Sequence, residues 1–238
     1  MSAPEPARPA PGPARPALSI VMPVLDEAAG VVGTLRALAP LRAAGIELIV
    51  VDGGSADDTA RLAAPWADRV LVAAPGRARQ MNAGAAVARA DVLLFLHADT
   101  RLPAGADRWV ARAVAQGATW GRFDVRIAGR ARVLPIVAAL MNLRSRATAI
   151  ATGDQAIFAR RDAFERVGRY PEQPLMEDVE LSRRLRRLAP PACLRARVQT
   201  SGRRWDARGA WRTIALMWWL RYRYWRGEPA HRLARAYR

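Results

Sequence analysis

Four times within the first hundred residues, a short, mostly apolar stretch runs into a polar or glycine-rich turn and then into a helix-like segment. The stretches are residues 18–22, 46–51, 69–72 and 92–96. The segments that follow run to about Ala39, start near Asp57, cover residues 80–88, and run from about Ala104 to Ala115. A strand that is apolar at every position, rather than at every second one, is buried on both faces. Strand and helix in regular alternation then predict a mostly parallel α/β sheet, Rossmann-like, with helices on both sides. Such sheets hold ligands outside the carboxyl ends of their strands.

What lies at those ends is acidic or phosphate-friendly. Pro23 closes the first strand, and Asp26 and Glu27 sit at the turn into a helix, where the helix dipole also favours acids. The second strand ends in Asp52-Gly53-Gly54-Ser55, with Asp57 just beyond. Two glycines allow a tight turn and close backbone approach, and Ser55 or Asp57 can cap the helix. A strand, a glycine turn and a helix start together form an anion site, although neither the Walker nor the G-x-G-x-x-G spacing is present. After the third strand, Arg77, Arg79 and Asn82 open a helix, within reach of phosphate or as surface residues. The fourth strand stops on His97-Ala98-Asp99. Asp99 is a hard oxygen ligand suited to Mg²⁺ or Mn²⁺, which are held by one or two carboxylates together with substrate phosphates.

The second half is less regular. Residues 120–127 alternate and suggest a half-exposed strand; 133–148 suggest a helix, whole or broken. Residues 153–158 suggest a strand with a polar start, containing Gly153, Asp154 and Gln155, and 161–167 a short helix. Glu177, Asp178 and Glu180 begin a helix whose far end is basic, which suits the dipole and also offers a general base. A late strand over 192–200 precedes Arg203-Arg204-Trp205. The segment 211–225 mixes Trp, Tyr and Arg, the composition of an interfacial helix, and equally of one docked on the domain or on a partner chain. Its longest apolar run, residues 214–220, is far below the ~20 residues that span a bilayer.

Composition removes several classes of protein. One cysteine, Cys193, excludes an internal disulfide and fits a reducing compartment. Two histidines argue against a histidine zinc site or a Ser-His-Asp triad. The net charge is +17, and all 38 basic residues are arginine, which suits nucleic acid, an anionic membrane or phosphorylated small molecules. Residues 1–17, rich in Pro and Ala, are expected to be a mobile tail without the apolar core of a secretory signal.

Taken together, the blocks at 20–27, 48–57, 94–99 and 176–178 resemble the family 2 glycosyltransferases of the GT-A fold. More narrowly, residues 76–84, 97–100, 153–155, 174–178 and 203–205 are similar to a small soluble bacterial branch of that family, some members of which are associated with radical-SAM genes. The resemblance implies a tail over 1–17, a GT-A domain over 18–205 and an aromatic, arginine-rich helical extension over 206–238. It implies an inverting, metal-dependent transfer from a nucleotide-diphosphate sugar to a hydroxyl acceptor. Asp52 would contact the base, with Pro23, Glu27, Gly53 and Ser55 lining the nucleotide pocket beside His97. Asp99 would bind Mg²⁺ or Mn²⁺, and Asp178 or Glu177 would deprotonate the acceptor. Gly153, Asp154 and Gln155 would lie near acceptor and sugar. Arg77, Arg79, Asn82, Arg203 and Arg204, with Trp205, are candidates for the leaving group and the acceptor region. The usual Asp-x-Asp is here His97-Ala98-Asp99, one carboxylate short. A cytoplasmic protein is implied, with peripheral contact to an anionic membrane and a homodimer as further expectations. Two rivals remain: a sugar-phosphate nucleotidyltransferase, and a basic nucleic-acid or membrane-binding module without catalysis. Acids converging at strand ends speak against binding of nucleic acid.

Overall fold

A computed structural model describes residues 15–237. The expected mobile tail falls mainly on residues 1–14, outside the described residues. In chain order the elements are β1 (Ser19–Val24), α1 (Ala28–Ala43), β2 (Glu47–Asp52), α2 (Thr59–Ala63), β3 (Arg69–Val72), α3 (Arg77–Val87), β4 (Val92–Phe95), β5 (Thr100–Arg101) and α4 (Ala106–Ala115). There follow β6 (Trp120–Ala128), α5 (Leu134–Thr148), a 3₁₀ turn (Gly153–Gln155), β7 (Phe158–Arg160), α6 (Arg161–Arg166), α7 (Glu177–Leu185), β8 (Ala192–Ser201), α8 (Arg203–Arg208), α9 (Ala210–Trp225) and α10 (Ala230–Tyr237).

The sheet order is β3-β2-β1-β4-β7-β6-β8-β5. β3, β2, β1 and β4 are mutually parallel, and antiparallel pairing enters with β7. Both faces are covered, as the continuous apolar runs require. Ile20, Met22, Leu48, Val50 and Leu94 point into one core with Val31 and Leu35 of α1. Val21, Ile49, Val51, Leu93 and Phe95 point into the other, with Met81 and Ala85 of α3 and Leu181 and Leu185 of α7. Period-two alternation within each strand divides them between the two cores. Gly84 of α3 lets that helix lie directly on the sheet: a Cβ there would sit 2.4 Å from Val21 Cγ1.

Strand order reverses between β1 and β4, the seam at which sheets of this kind take ligands. The first strand does not stop at Pro23. β1 continues to Val24, in register with β2 as far as Asp52. Its ladder with β4 ends at Val21, opposite Phe95. Pro23 therefore lies where β4 has already departed, and a missing N–H costs no bond on that side.

Two more expectations are corrected. Residues 153–155 form a helical turn, and the strand is confined to Phe158–Arg160. The turn is fixed by the Gln155 side chain, whose Oε1 accepts the Thr152 N–H at 3.2 Å. β6 is not half-exposed: Trp120 through Val125 are all buried. The alternation is real, but its polar face lies under α5. Arg122, 0 % exposed, pairs with Asp124 and donates to Ser145 Oγ (3.1 Å) and to the Asn142 carbonyl (3.1 Å). Asp124 also accepts from Arg146 at 2.8 Å.

The C-terminal segment forms helices that dock on the domain. Leu220 of α9 and Leu233 of α10 are fully buried, packed with Leu175 and Met176. Among the described residues no helix is long and apolar enough to cross a membrane.

Candidate active site

The carboxyl ends of β1 and β2 are tied into one rigid corner. Asp52, 3 % exposed, accepts the backbone N–H groups of Gly54 (3.1 Å) and Ser55 (2.9 Å) and the Ser55 hydroxyl. The Ser55 oxygen in turn accepts the Asp26 N–H at 2.9 Å, and Asp26 Oδ1 accepts the Ala56 N–H at 2.8 Å. Asp26 adopts a left-handed backbone (φ 51°) that short polar residues tolerate best. The Glu27 N–H reaches Thr59 Oγ1 at 2.8 Å, and that of Ala28 reaches Asp57 at 3.1 Å. Gln80, which its sequence context did not single out, locks the corner from beneath: its buried amide donates to the carbonyls of Val24 (2.7 Å) and Val51 (2.8 Å). A side chain at Gly53 would press on that amide at 3.1 Å.

A second group gathers across the seam. His97 Nδ1 stands 3.6 Å from Asp154 Oδ1. His97 Nε2 is buried without a protein partner. It lies against Gly153, where a Cβ would come within 2.3 Å of it, so only glycine fits there. The Gly153 N–H donates to Asp178 Oδ2 at 2.7 Å. These contacts bring the end of β4, the 3₁₀ turn and the start of α7 together. Met176, the residue before α7, is held at φ 63°, an unfavourable conformation for its type.

The electrostatics draw the cluster closer. Burial tends to raise the Asp154 carboxyl, but His97, Arg77 and Arg204 outweigh it and hold it below its ordinary value. Its side chain is 45 % exposed. Glu177, 5 % exposed, is pushed up to about 7 by burial first and by the charge of Asp178 second. Tyr170, buried against Phe95 and Phe164, has its phenol raised well above 10 by burial, then by Asp178 and Glu177. Arg204 stacks on the Tyr237 ring at 4.1 Å. Burial and the neighbouring Arg77 and Arg208 lower it, and Asp154 and Asp99 partly compensate.

The remaining predicted residues separate. Arg77 faces the cluster, since Glu177, Asp154 and Arg204 all sense its charge. Arg79 is paired with Glu172 at 3.1 Å. Both ends of the Asn82 amide are committed to the backbone of Tyr170, at 2.9 and 3.1 Å. Gln155 is fully buried and fixes its own turn. Arg203 reaches Glu27 at 3.5 Å, whereas Trp205 packs on the core.

A divalent ion fits this donor set in one way. Among the described residues no three His, Cys, Asp or Glu side chains gather that could enclose a metal. Asp99 is partly exposed, and the Thr100 hydroxyl approaches its carboxylate at 3.4 Å. A single partly exposed carboxylate at a strand end suits Mg²⁺ or Mn²⁺ held jointly by protein and a bound diphosphate, not a site built from protein alone.

A sheet that is parallel through β3, β2, β1 and β4 and antiparallel beyond, with carboxylates at its strand ends and helices on both faces, defines an α/β domain of the GT-A type. The chain belongs to glycosyl transferase family 2, whose model matches residues 19–168. No curated protein sequence matches it. Among solved structures it is similar to S. aureus TarS 1-349, with TM-score 0.62 and 15 % identity over 78 % of this chain and 60 % of that one. It is likewise similar to glucosyl-3-phosphoglycerate synthase from Mycobacterium tuberculosis (TM-score 0.56, 22 % identity, 78 % and 71 % covered). A third is the mannosyltransferase PcManGT from Pyrobaculum calidifontis (TM-score 0.62, 22 % identity, 87 % and 63 % covered). The chain thus spans about 60 % of the TarS fragment's length.

Proposed function

We propose that the protein moves a glycosyl group from a nucleoside-diphosphate sugar to an acceptor hydroxyl, with inversion at the anomeric carbon. The observation that carries this is the Gly153–Asp178 contact. It sets the α7 carboxylates facing the β4 end that bears Asp99, across the seam from the Asp52 corner. Asp52 and Gly53 receive the nucleoside, with Pro23 and Glu27 as walls. Arg77 and Arg204 lie where negative charge grows on the departing diphosphate. Asp178 takes the proton of the acceptor hydroxyl as its oxygen attacks, and the anomeric carbon–oxygen bond to the diphosphate breaks on the opposite face. Burial and the charge of the neighbouring Asp178 raise Glu177 to about 7. Mg²⁺ or Mn²⁺, held by Asp99, would neutralise diphosphate charge.

Support for the donor class also comes from the neighbours. TarS was solved with UDP, the M. tuberculosis synthase with Mn²⁺ and UDP, and PcManGT with GDP-Man and Mn²⁺. The proposal extends to location: a cytoplasmic protein resting on an anionic membrane through α9, whose outer face carries exposed tryptophans beside arginines.

The test is calorimetric titration of UDP, GDP and their sugar conjugates with and without Mn²⁺. Binding that needs Mn²⁺, is lost in Asp99→Ala and is weakened at least tenfold in Asp52→Ala is expected. A folded protein that binds none of these nucleotides would sink the reading.

A further inference from the structure

Arg144 of α5 stands apart from the other arginines near the site. Arg122 and Arg146 on the same β6–α5 surface are both tied to Asp124. Among the described residues Arg144 forms no ion pair, and its Nε and Nη2 are buried with no protein acceptor. Burial works against its charge, and the charges that it senses are those of Asp178 and Arg122. Asp178 does not neutralise it by contact. One oxygen of that carboxylate accepts the Gly153 N–H and the other the Val179 N–H, each at 2.7 Å.

A guanidinium cannot escape an unfavourable site by losing its proton. Buried donors left unmatched are rare in folded proteins, and a ligand is one reason for keeping them. The natural complement of two adjacent guanidinium N–H groups is a planar or tetrahedral oxyanion. No ion pair joins Arg144 to Asp178 among the described residues, and Asp178 is the favourable charge that Arg144 senses. A small fragment bearing an anion at one end and a hydroxyl at the other would bridge the two.

We propose that Arg144 anchors a carboxylate or phosphate group of the acceptor, so that the acceptor class is hydroxy acids or phosphorylated polyols rather than neutral sugars. This rests on reading Asp178 as the acceptor's base. It makes Arg144 a specificity-determining residue, with no part in proton transfer. The shared chemistry is an oxyanion, which the donor diphosphate also possesses, and the experiment separates the two sources.

Full-length protein labelled with ¹⁵N-arginine is titrated while the guanidinium Nε–H signals are observed. The Arg144 signal is identified by its disappearance in Arg144→Lys. Inorganic phosphate and glycerate are expected to shift that signal saturably, and glycerol to leave it in place. Arg144→Gln should weaken phosphate binding at least tenfold while UDP–Mn²⁺ affinity stays within about twofold. If Arg144→Gln fails to fold, Arg144→Lys serves: it keeps the charge, loses the fork, and should bind phosphate more weakly than wild type. An Arg144 signal indifferent to phosphate overturns the proposal, as does displacement of phosphate from Arg144 by UDP–Mn²⁺. Normal nucleotide binding with a silent Arg144 sinks the subsite alone. A phosphate response at Arg144 in a protein that binds no nucleotide supports the oxyanion site and counts against the transferase.

Discussion

Glu177 shows how one buried side chain makes stability depend on pH. Its carboxyl is raised from 4.5 to about 7 in the folded protein, so the folded state holds a proton that the unfolded chain releases. The resulting stabilisation is fully present below pH 4.5 and is lost as pH rises through about 7. A shift of this size corresponds to about 3 kcal/mol at most. Urea unfolding should therefore give a lower midpoint at pH 8 than at pH 5. Glu177→Gln, which keeps the neutral form permanently, should raise the pH 8 midpoint and flatten the difference. Equal midpoints at the two pH values in wild type would refute the assignment. The same residue explains why this part of the site was legible in sequence: Glu177 and Asp178 open a helix beside apolar Met176, a position where acids are either capping groups or functional ones. Asp52 and Asp99 were legible for a similar reason, each ending an apolar strand. Arg144 was not. Among 38 arginines nothing in the local sequence marks one as buried, and only the packing of α5 does so.

At the scale of elements, the legible parts were those whose pattern is local. β1, β2 and β4 are apolar at nearly every position because helices cover both faces, whereas the edge strand β3 stays partly exposed. β6 misled because its alternation depends on what covers it. Arg122 and Asp124 read as a solvent face, and α5, which buries them, follows only after a loop. The clamp is tight: the Asn142 side chain accepts the Val125 N–H (2.8 Å) and donates to the Val125 carbonyl (3.0 Å), standing in for a neighbouring strand. Removing one partner of a buried pair strands the other's charge, at a cost of about 3–5 kcal/mol. In urea unfolding Asp124→Ala should lower the stability by that amount, whereas replacing surface-paired Asp58 (62 % exposed) should leave it nearly unchanged. A small effect at Asp124 would mean that water reaches Arg122. The 3₁₀ turn at 153–155 was mistaken for strand because its decisive feature, the Gln155 side chain closing on Thr152, shows no periodicity.

For the molecule as a whole, the extension is two-sided. Thr213 and Leu220 of α9 are buried, with Leu216 and Met217 packed beside Met176. Trp211, Trp218 and Trp225, seven residues apart, are 75 %, 73 % and 77 % exposed. Indole rings on one helical face with arginines beside them suit the headgroup layer of an anionic bilayer. In flotation assays the protein should travel with phosphatidylglycerol vesicles at low salt and less so at high salt. Changing all three tryptophans to Ser should cut the bound fraction at least tenfold. A dimer in solution that shields these tryptophans, together with no flotation, would assign the face to a second copy instead. The seam between β1 and β4 has one more consequence. Past Val21 the two strands part, and the residue on the inner lip, Pro23, carries no N–H. An opening between strands would ordinarily expose a dangling amide that invites water, a loop or a neighbouring chain to fill it. Because proline has no such donor, β4 can turn away toward His97 and Asp99 at this point without stranding an amide of β1.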